Sequence, residues 1–507
     1  MKKKLGIAAL LTATAALVAP GVASAATLGE LTDTVATRGS ELNMVWVGIA
    51  CVLVFLMQAG FMFLEIGFSR QKNVGTGVAK VLVNLAVVTI AWWAVGYGIA
   101  EGGSGGVDEA GVPLPGNEIF GGSGFFFHFD QLVAGAPVNG ETAMLMLFGL
   151  AFCAVSLAIV WGTTLERIKF GAYVVYAAVF GAVIYPLIAH GVWGGGFLGD
   201  VGGKEVMDFA GSSVVHLTGA VGALAALLLL GPRICKYDAN GKPRAIPGHS
   251  MPLVGLGVII LWIGWFGFNG GSTFGTGENL FGEVMLNTQL AAAAGVIGAS
   301  LAIYLKGRTL DVGMAGNGAI AGLVGITAPS GFVEYWAAPI IGIVAGFLVV
   351  FAVLAIDKVL DDPVGALSAH GLAGIWGTLA VGIFASPRLI GETAAPGIWY
   401  GIFDGDVAFG GTLGQLAVQG LAVVFTFVVV FAISIATFAL IKATIGLRVS
   451  PEEEDAGLDI SSHGMYGYPE VFIPQPEYST GMPNTMAGAP AAAATPAPAQ
   501  MAATETK

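Results

Sequence analysis

Two short stretches of this chain place residues able to do chemistry in the same frame. Asp208 to His216 reads D-x-x-G-x-x-x-x-H, and Asp362 to His370 repeats that pattern. Each opens a long apolar segment and sets a histidine about two turns into it. Hydrocarbon offers no water to the ring nitrogens, so an imidazole there needs a partner. With such a partner it can accept a proton on one nitrogen and release one from the other. A single histidine of this kind could equally be a hydrogen-bonded structural residue. Two in matching frames, one in each half of the chain, point to a duplicated unit with its site where the halves meet.

The elements that must position them are helices in a bilayer. The 507 residues are 55% hydrophobic and only 11% charged, with a mean hydropathy of +0.80. Soluble domains carry about 25% charged residues, so the composition is that of an all-α polytopic membrane protein. The net charge is −12 and no basic patch stands out, which excludes nucleic acid as a partner. Cys51, Cys153 and Cys235 have neither metal nor redox spacing, and nothing in the sequence calls for a metal or cofactor. Among the 78 glycines, Gly371, Gly374 and Gly377 read as helix packing, and Gly194-Gly195-Gly196 as a loop.

Eleven apolar stretches are long enough, or nearly so, to cross a bilayer: about 42–64, 81–100, 143–165, 170–190, 209–230, 252–273, 285–305, 312–329, 336–356, 364–386 and 413–441. The eighth is short and rich in glycine. Arg70, Lys72, Arg167, Lys169, Arg233, Lys236, Lys242, Arg244, Lys306, Arg308 and Lys358 fall in alternate connections. By the positive-inside rule those connections are cytoplasmic, which puts the mature N-terminus outside and the C-terminus inside. Spans 1–5 and 6–10 then form an inverted repeat whose histidines approach each other near the midplane. Asp208 and Asp362 sit where helix N-caps belong, a structural role that would suffice for both.

Residues 1–25 read as a signal peptide, with Lys2-Lys3-Lys4, an apolar run and Ala23-Ser24-Ala25 in order; an uncleaved anchor is the alternative. The eleven-span body is expected over 40–445, a polar cytoplasmic segment over 446–474, and a low-complexity Ala/Pro tail over 475–507. The long external connection 101–142 suggests no chemistry. His190, at the outer end of the fourth span, reads as structural, and His128 and His249 as loop residues without an evident partner.

Over roughly residues 40–468 the chain resembles the ammonium transporter family, the Amt/Mep/Rh group, as a bacterial Amt-type member. The resemblance rests on Asp208 to His216 running on to Gly231-Pro232-Arg233, on Gly264-Trp265-Phe266-Gly267-Phe268-Asn269, and on Asp361-Asp362-Pro363 to His370. Gly457-Leu458-Asp459 and Ser462-His463-Gly464 fit the family's tail. It implies a multi-pass transporter of the cell membrane, not an enzyme. Such a protein would move ammonium and methylammonium for nitrogen uptake as a homotrimer, with a PII-type signal protein docking at the cytoplasmic face.

By the same resemblance, Phe152, Trp193 and Ser272 form an external recruitment site. Aromatic faces attract a desolvated cation by about 2 kcal/mol, and a serine oxygen accepts an N–H bond. Phe152 and Phe268 would stack as a gate, with Phe148 beside them, and Asp208 would support the site without touching the cation. Taken alone, Trp193 could be an interfacial anchor and Phe152 ordinary packing. His216 and His370 would share a ring-to-ring hydrogen bond and relay the proton while ammonia crosses the apolar pore. The physics agrees: a bare cation in an apolar pore costs tens of kcal/mol, and no acidic ring offsets it. Ammonium can shed its charge as a proton, and potassium cannot.

Two other readings compete. An ammonium sensor reporting to a cytoplasmic partner would need an appended signalling domain, and the residues after the eleventh span look too few for one. A neutral gas channel of the Rh type would have no use for Trp193 and Ser272.

Overall fold

A backbone crossing hydrocarbon must satisfy its own polar groups, and helices do so within one segment. The computed structural model describes residues 28–472, apart from 104, 106–115, 130–131, 133–134, 136–137 and 392–393. The expected signal peptide, the tail over 475–507 and part of the 101–142 connection lie outside the described residues. Among those described the fold is all-helical, without a strand.

The long elements are α1 (Leu28–Phe68), α2 (74–101), α3 (Gly140–Thr163), α4 (170–192), α5 (Ser212–Leu230), α6 (Met251–Gly271), α7 (Leu280–Gly307), α8 (Val312–Thr327), α9 (Ala337–Ile356), α10 (Leu367–Phe384) and α11 (Phe409–Thr444). Ten of these are long and apolar enough to cross a membrane. The exception is α8, whose 16 residues rise only about 24 Å. The first helix begins well before the expected 42, because hydropathy marks where a helix enters lipid and not where it starts. Its polar lead carries the Arg38–Glu41 ion pair at 2.5 Å.

Close approach of backbones builds the centre. Where α6 crosses α1, a Cβ on Gly257 would lie 2.5 Å from the Leu64 nitrogen, and one on Gly267 would lie 2.6 Å from the Ala50 carbonyl. Gly374 and Gly377 do the same for α10 against Ser212 of α5, at 2.7 and 2.6 Å. Small residues there let the two histidine-bearing helices meet.

Several loop cations that served as topology signals are buried anchors. Arg233 forks onto Asp361 with bonds of 2.9 Å from both Nε and Nη2, and Arg167 donates to the Asp361 carbonyl at 2.8 Å. Burial alone would raise the Asp361 carboxyl, but these arginines outweigh it and bring the pKa down to about 2. Beyond α11 the chain returns beneath the bundle. A capping box at Ser450 and Glu453 starts α12 (Pro451–Ala456), and α13 (Leu458–His463) follows. Asp459 accepts the amides of Gly75 and Thr76 at 3.0 and 2.8 Å, capping the start of α2 from far along the sequence. His249, read as partnerless, lies 3.1 Å from both the Ser69 carbonyl and the Tyr468 hydroxyl; both partners are too distant in sequence to anticipate.

Candidate functional site

The twin motifs fold alike. The Asp208 carboxylate accepts the amides of Gly211, Ser212, Ser213 and Val214 at 2.8–3.0 Å, and the Ser213 hydroxyl at 2.5 Å. Asp362 accepts those of Val364, Gly365 and Leu367 at 2.8–3.3 Å. The intervening glycines, Gly211 and Gly365, have φ of 113° and 76°, the left-handed region where a Cβ is strained. Each capped loop then enters a wide turn, Ser212–Leu217 or Leu367–Leu372, that carries the histidine. Such turns widen the ring of backbone bonds by one residue and recur at functional sites. Burial holds the Asp362 carboxyl above its ordinary range in spite of its amide bonds.

These turns bring His216 and His370 together with Nδ1 atoms 3.3 Å apart and ring centroids 5.3 Å apart. One ring must donate and the other accept, so a single proton lies between them. His216 is fully buried, and its Nε2 has no hydrogen-bond partner. Its ring stacks on Trp265 at 5.1 Å and touches Phe268 at 5.4 Å, while Phe61 lies 6.2 Å from His370. Sequence reasoning assigned Trp265 and Phe61 no role, since aromatics at helical spacing read as core.

Above the pair, Phe268 stacks on Phe152 with centroids 4.0 Å apart and planes 15° apart, which leaves no passage between the rings. Phe152 meets Trp193 edge-on at 6.2 Å and Phe148 at 4.6 Å. Exposure falls along this column from 36% at Trp193 to 3% at Phe152 and none at Phe268 and His216. The Trp193 indole donates to the Asp208 carbonyl at 2.8 Å, which fixes the ring over the first motif. Ser272 caps α6 one turn beyond Phe268 and donates its hydroxyl to the Phe268 carbonyl at 2.8 Å, so its lone pairs stay free to accept. Phe274, exposed and 5.5 Å from Phe148, adds an aromatic rim that the sequence did not suggest. His190 lies apart from the column, its ring nitrogens 3.0 and 2.8 Å from the carbonyls of Ala100 and Asn117. Among the described residues, no group of His, Cys, Asp and Glu could hold a metal.

An aromatic cluster over a buried imidazole pair, inside a bundle of apolar helices, belongs to a multi-pass membrane protein. Residues 45–468 match the Ammonium Transporter Family, and the chain belongs to that family. Ammonium transporter Amt2 of Archaeoglobus fulgidus is 42% identical over 453 residues, covering 87% of this chain and 91% of its own. The ammonium transporter of Bacillus subtilis is 32% identical, covering 84% and 98%. Among solved structures, one named Sensor Amt Protein superposes with a TM-score of 0.74 at 33% identity, covering 84% of this chain and 99% of its own. Mep2 of Candida albicans gives 0.68 at 28%, covering 82% and 87%. The family is one of transporters and not of enzymes, and with its ten apolar helices the chain is a multi-pass membrane protein.

Proposed function

We propose that this protein recruits ammonium at Phe152, Trp193 and Ser272, removes its proton, and conducts ammonia past Phe148, Phe152 and Phe268 along an apolar pore. The proton passes through His216 and His370, and Asp208 and Asp362 hold the turns that carry them. The observation that carries this reading is the unbroken column from Trp193 through the Phe152–Phe268 stack to the histidine bond of 3.3 Å.

The architecture that goes with it is eleven spans, α1 to α11, with α8 embedded among longer helices. Spans 1–5 and 6–10 form an inverted repeat, supported by the contact of α1 with α6 and of the two wide turns with each other. The N-terminus is external and the C-terminus cytoplasmic. The assembly is a homotrimer carrying methylammonium as an analogue, with a PII-type protein docking at residues 446–474. Signalling by the same molecule is a second reading, favoured by the likeness to a structure named as a sensor.

The test replaces the histidines in reconstituted protein. His216→Asp and His370→Glu keep a proton-exchanging group and add fixed charge, so ammonium current persists and potassium current appears. His216→Ala abolishes current while ammonia still crosses. Unaltered ammonium-over-potassium selectivity in the acidic variants refutes the relay.

A further inference from the structure

Beyond the histidine pair the path opens into a cavity lined by Phe61, Glu65, Ile159, Asn317, Val364 and His370. It holds about 20 Å³ for water centres, and one water needs about 10–15 Å³ by the same measure. Three of its walls are polar: Glu65, Asn317 and the second histidine. Glu65 is 1% exposed, and neither carboxylate oxygen has a hydrogen-bond partner. Lys80, on the neighbouring α2, is fully buried, and its Nζ has no hydrogen-bond partner either. A buried ionisable side chain kept only for structure spends its oxygens on hydrogen bonds. Glu65 keeps both free beside the cavity.

We infer, on the basis of the proton path proposed above, that Glu65 is the inner proton acceptor of this pore and that ammonium is re-formed in its cavity. The pair releases a proton from His370 to a cavity water as that water gives one of its own to the Glu65 carboxylate. The imidazolium becomes imidazole, and the carboxylate becomes a neutral acid. Ammonia entering the cavity takes that proton on its lone pair, which restores the carboxylate and yields ammonium on the inner side. No electron changes hands, and the proton count balances.

The groups around Glu65 suit this cycle. Lys80 supplies a positive charge near the carboxylate from α2, and Arg167 and Glu166 act on Lys80 from the α3–α4 connection. Tyr173 of α4 and His463 of α13 are further titratable neighbours of the pair. The Tyr173 hydroxyl bonds to the Lys80 carbonyl, and its ring centroid lies 5.9 Å from Nζ. The lysine steadies the charge without occupying the oxygens.

The experiment compares Glu65→Gln and Glu65→Asp with wild type in proteoliposomes, with protein quantified in the same vesicles. Ammonium-driven current is read against internal alkalinisation by ammonia. In Glu65→Gln, current falls about a hundredfold, the low end of what a proton-transfer group supplies. Alkalinisation rises, because ammonia now arrives without its proton, and Glu65→Asp restores most of the current. Glu65→Gln combined with Lys80→Met removes both charges and loses current alike, should the single amide fail to insert. Wild-type current in either glutamine variant overturns the inference. So does a fall of current with no rise of alkalinisation that Asp does not rescue, which marks Glu65 as structural. His216→Ala, run alongside, separates the two levels: if it keeps full current, the twin-histidine path itself is wrong. If it loses current and Glu65→Gln does not, only the role of Glu65 falls.

Discussion

Asp208→Asn is the most exacting perturbation of the outer site, because it keeps the shape and changes only the hydrogen-bond arithmetic. One carboxylate oxygen accepts two backbone amides, and the other accepts two amides and a hydroxyl. Asparagine has one accepting oxygen, so either flip points an NH₂ group at two amide donors. The Ser213 hydroxyl can turn to accept, but the amides cannot. Each buried donor left unpaired costs about 1–3 kcal/mol. Two of them therefore cost about 2–6 kcal/mol, concentrated in the turn that carries His216. At Asp362 the bonds are fewer, and one of them is 3.3 Å long. Asp362→Asn is therefore milder. The thermal midpoint in detergent is expected to rank wild type, Asp362→Asn, then Asp208→Asn. Ammonium current in vesicles falls in the same order. The indole of Trp193 hangs on the Asp208 carbonyl, so the half-saturation concentration rises as well. If Asp208→Asn matches wild type in midpoint, current and half-saturation, the turn is not held by its carboxylate and the reasoning fails.

Three further outcomes are expected. Trp193→Leu removes one cation–π face worth about 1–2 kcal/mol and raises the half-saturation concentration roughly tenfold, measured as methylammonium uptake; an unchanged value excludes the recruitment site. Deletion from Gly457 onward removes the Asp459 cap on α2 and abolishes the proposed docking of a PII-type protein, whereas loss of 475–507 alone leaves docking intact; a pull-down with equal PII binding after the longer deletion refutes this. Asp361→Asn breaks the fork that holds the buried Arg233 and lowers the thermal midpoint, at about 3–5 kcal/mol for a stranded charge. The Asp361 pKa is depressed, so its contribution is complete above about pH 4 and is lost as pH falls toward about 2; a midpoint that drifts between pH 5 and 8 has another cause.

What the sequence displayed and what it concealed follow one physical line. The D-x-x-G-x-x-x-x-H frames were readable because capping and left-handed glycine are local, settled within a few residues of the aspartate. The wide turns that aim the rings were not, since their extra residue leaves the apolar pattern intact. Trp265 lay inside a recognised motif, yet its stacking on His216 depends on a helix elsewhere in the chain. Glu65 and Lys80 were concealed for a sharper reason. The expected first span stopped at 64 and the second began at 81, because a hydropathy window closes at a charge. Both residues thus read as solvated edges. In the folded protein α1 runs on to Phe68 and α2 starts at 74, so both side chains sit inside the bundle, buried to within 1% of their surface. A charge ends a span only where water can reach it, and whether water reaches it is decided by the helices packed alongside. The residues most informative about an inner proton path are therefore those that a one-dimensional reading places outside the membrane.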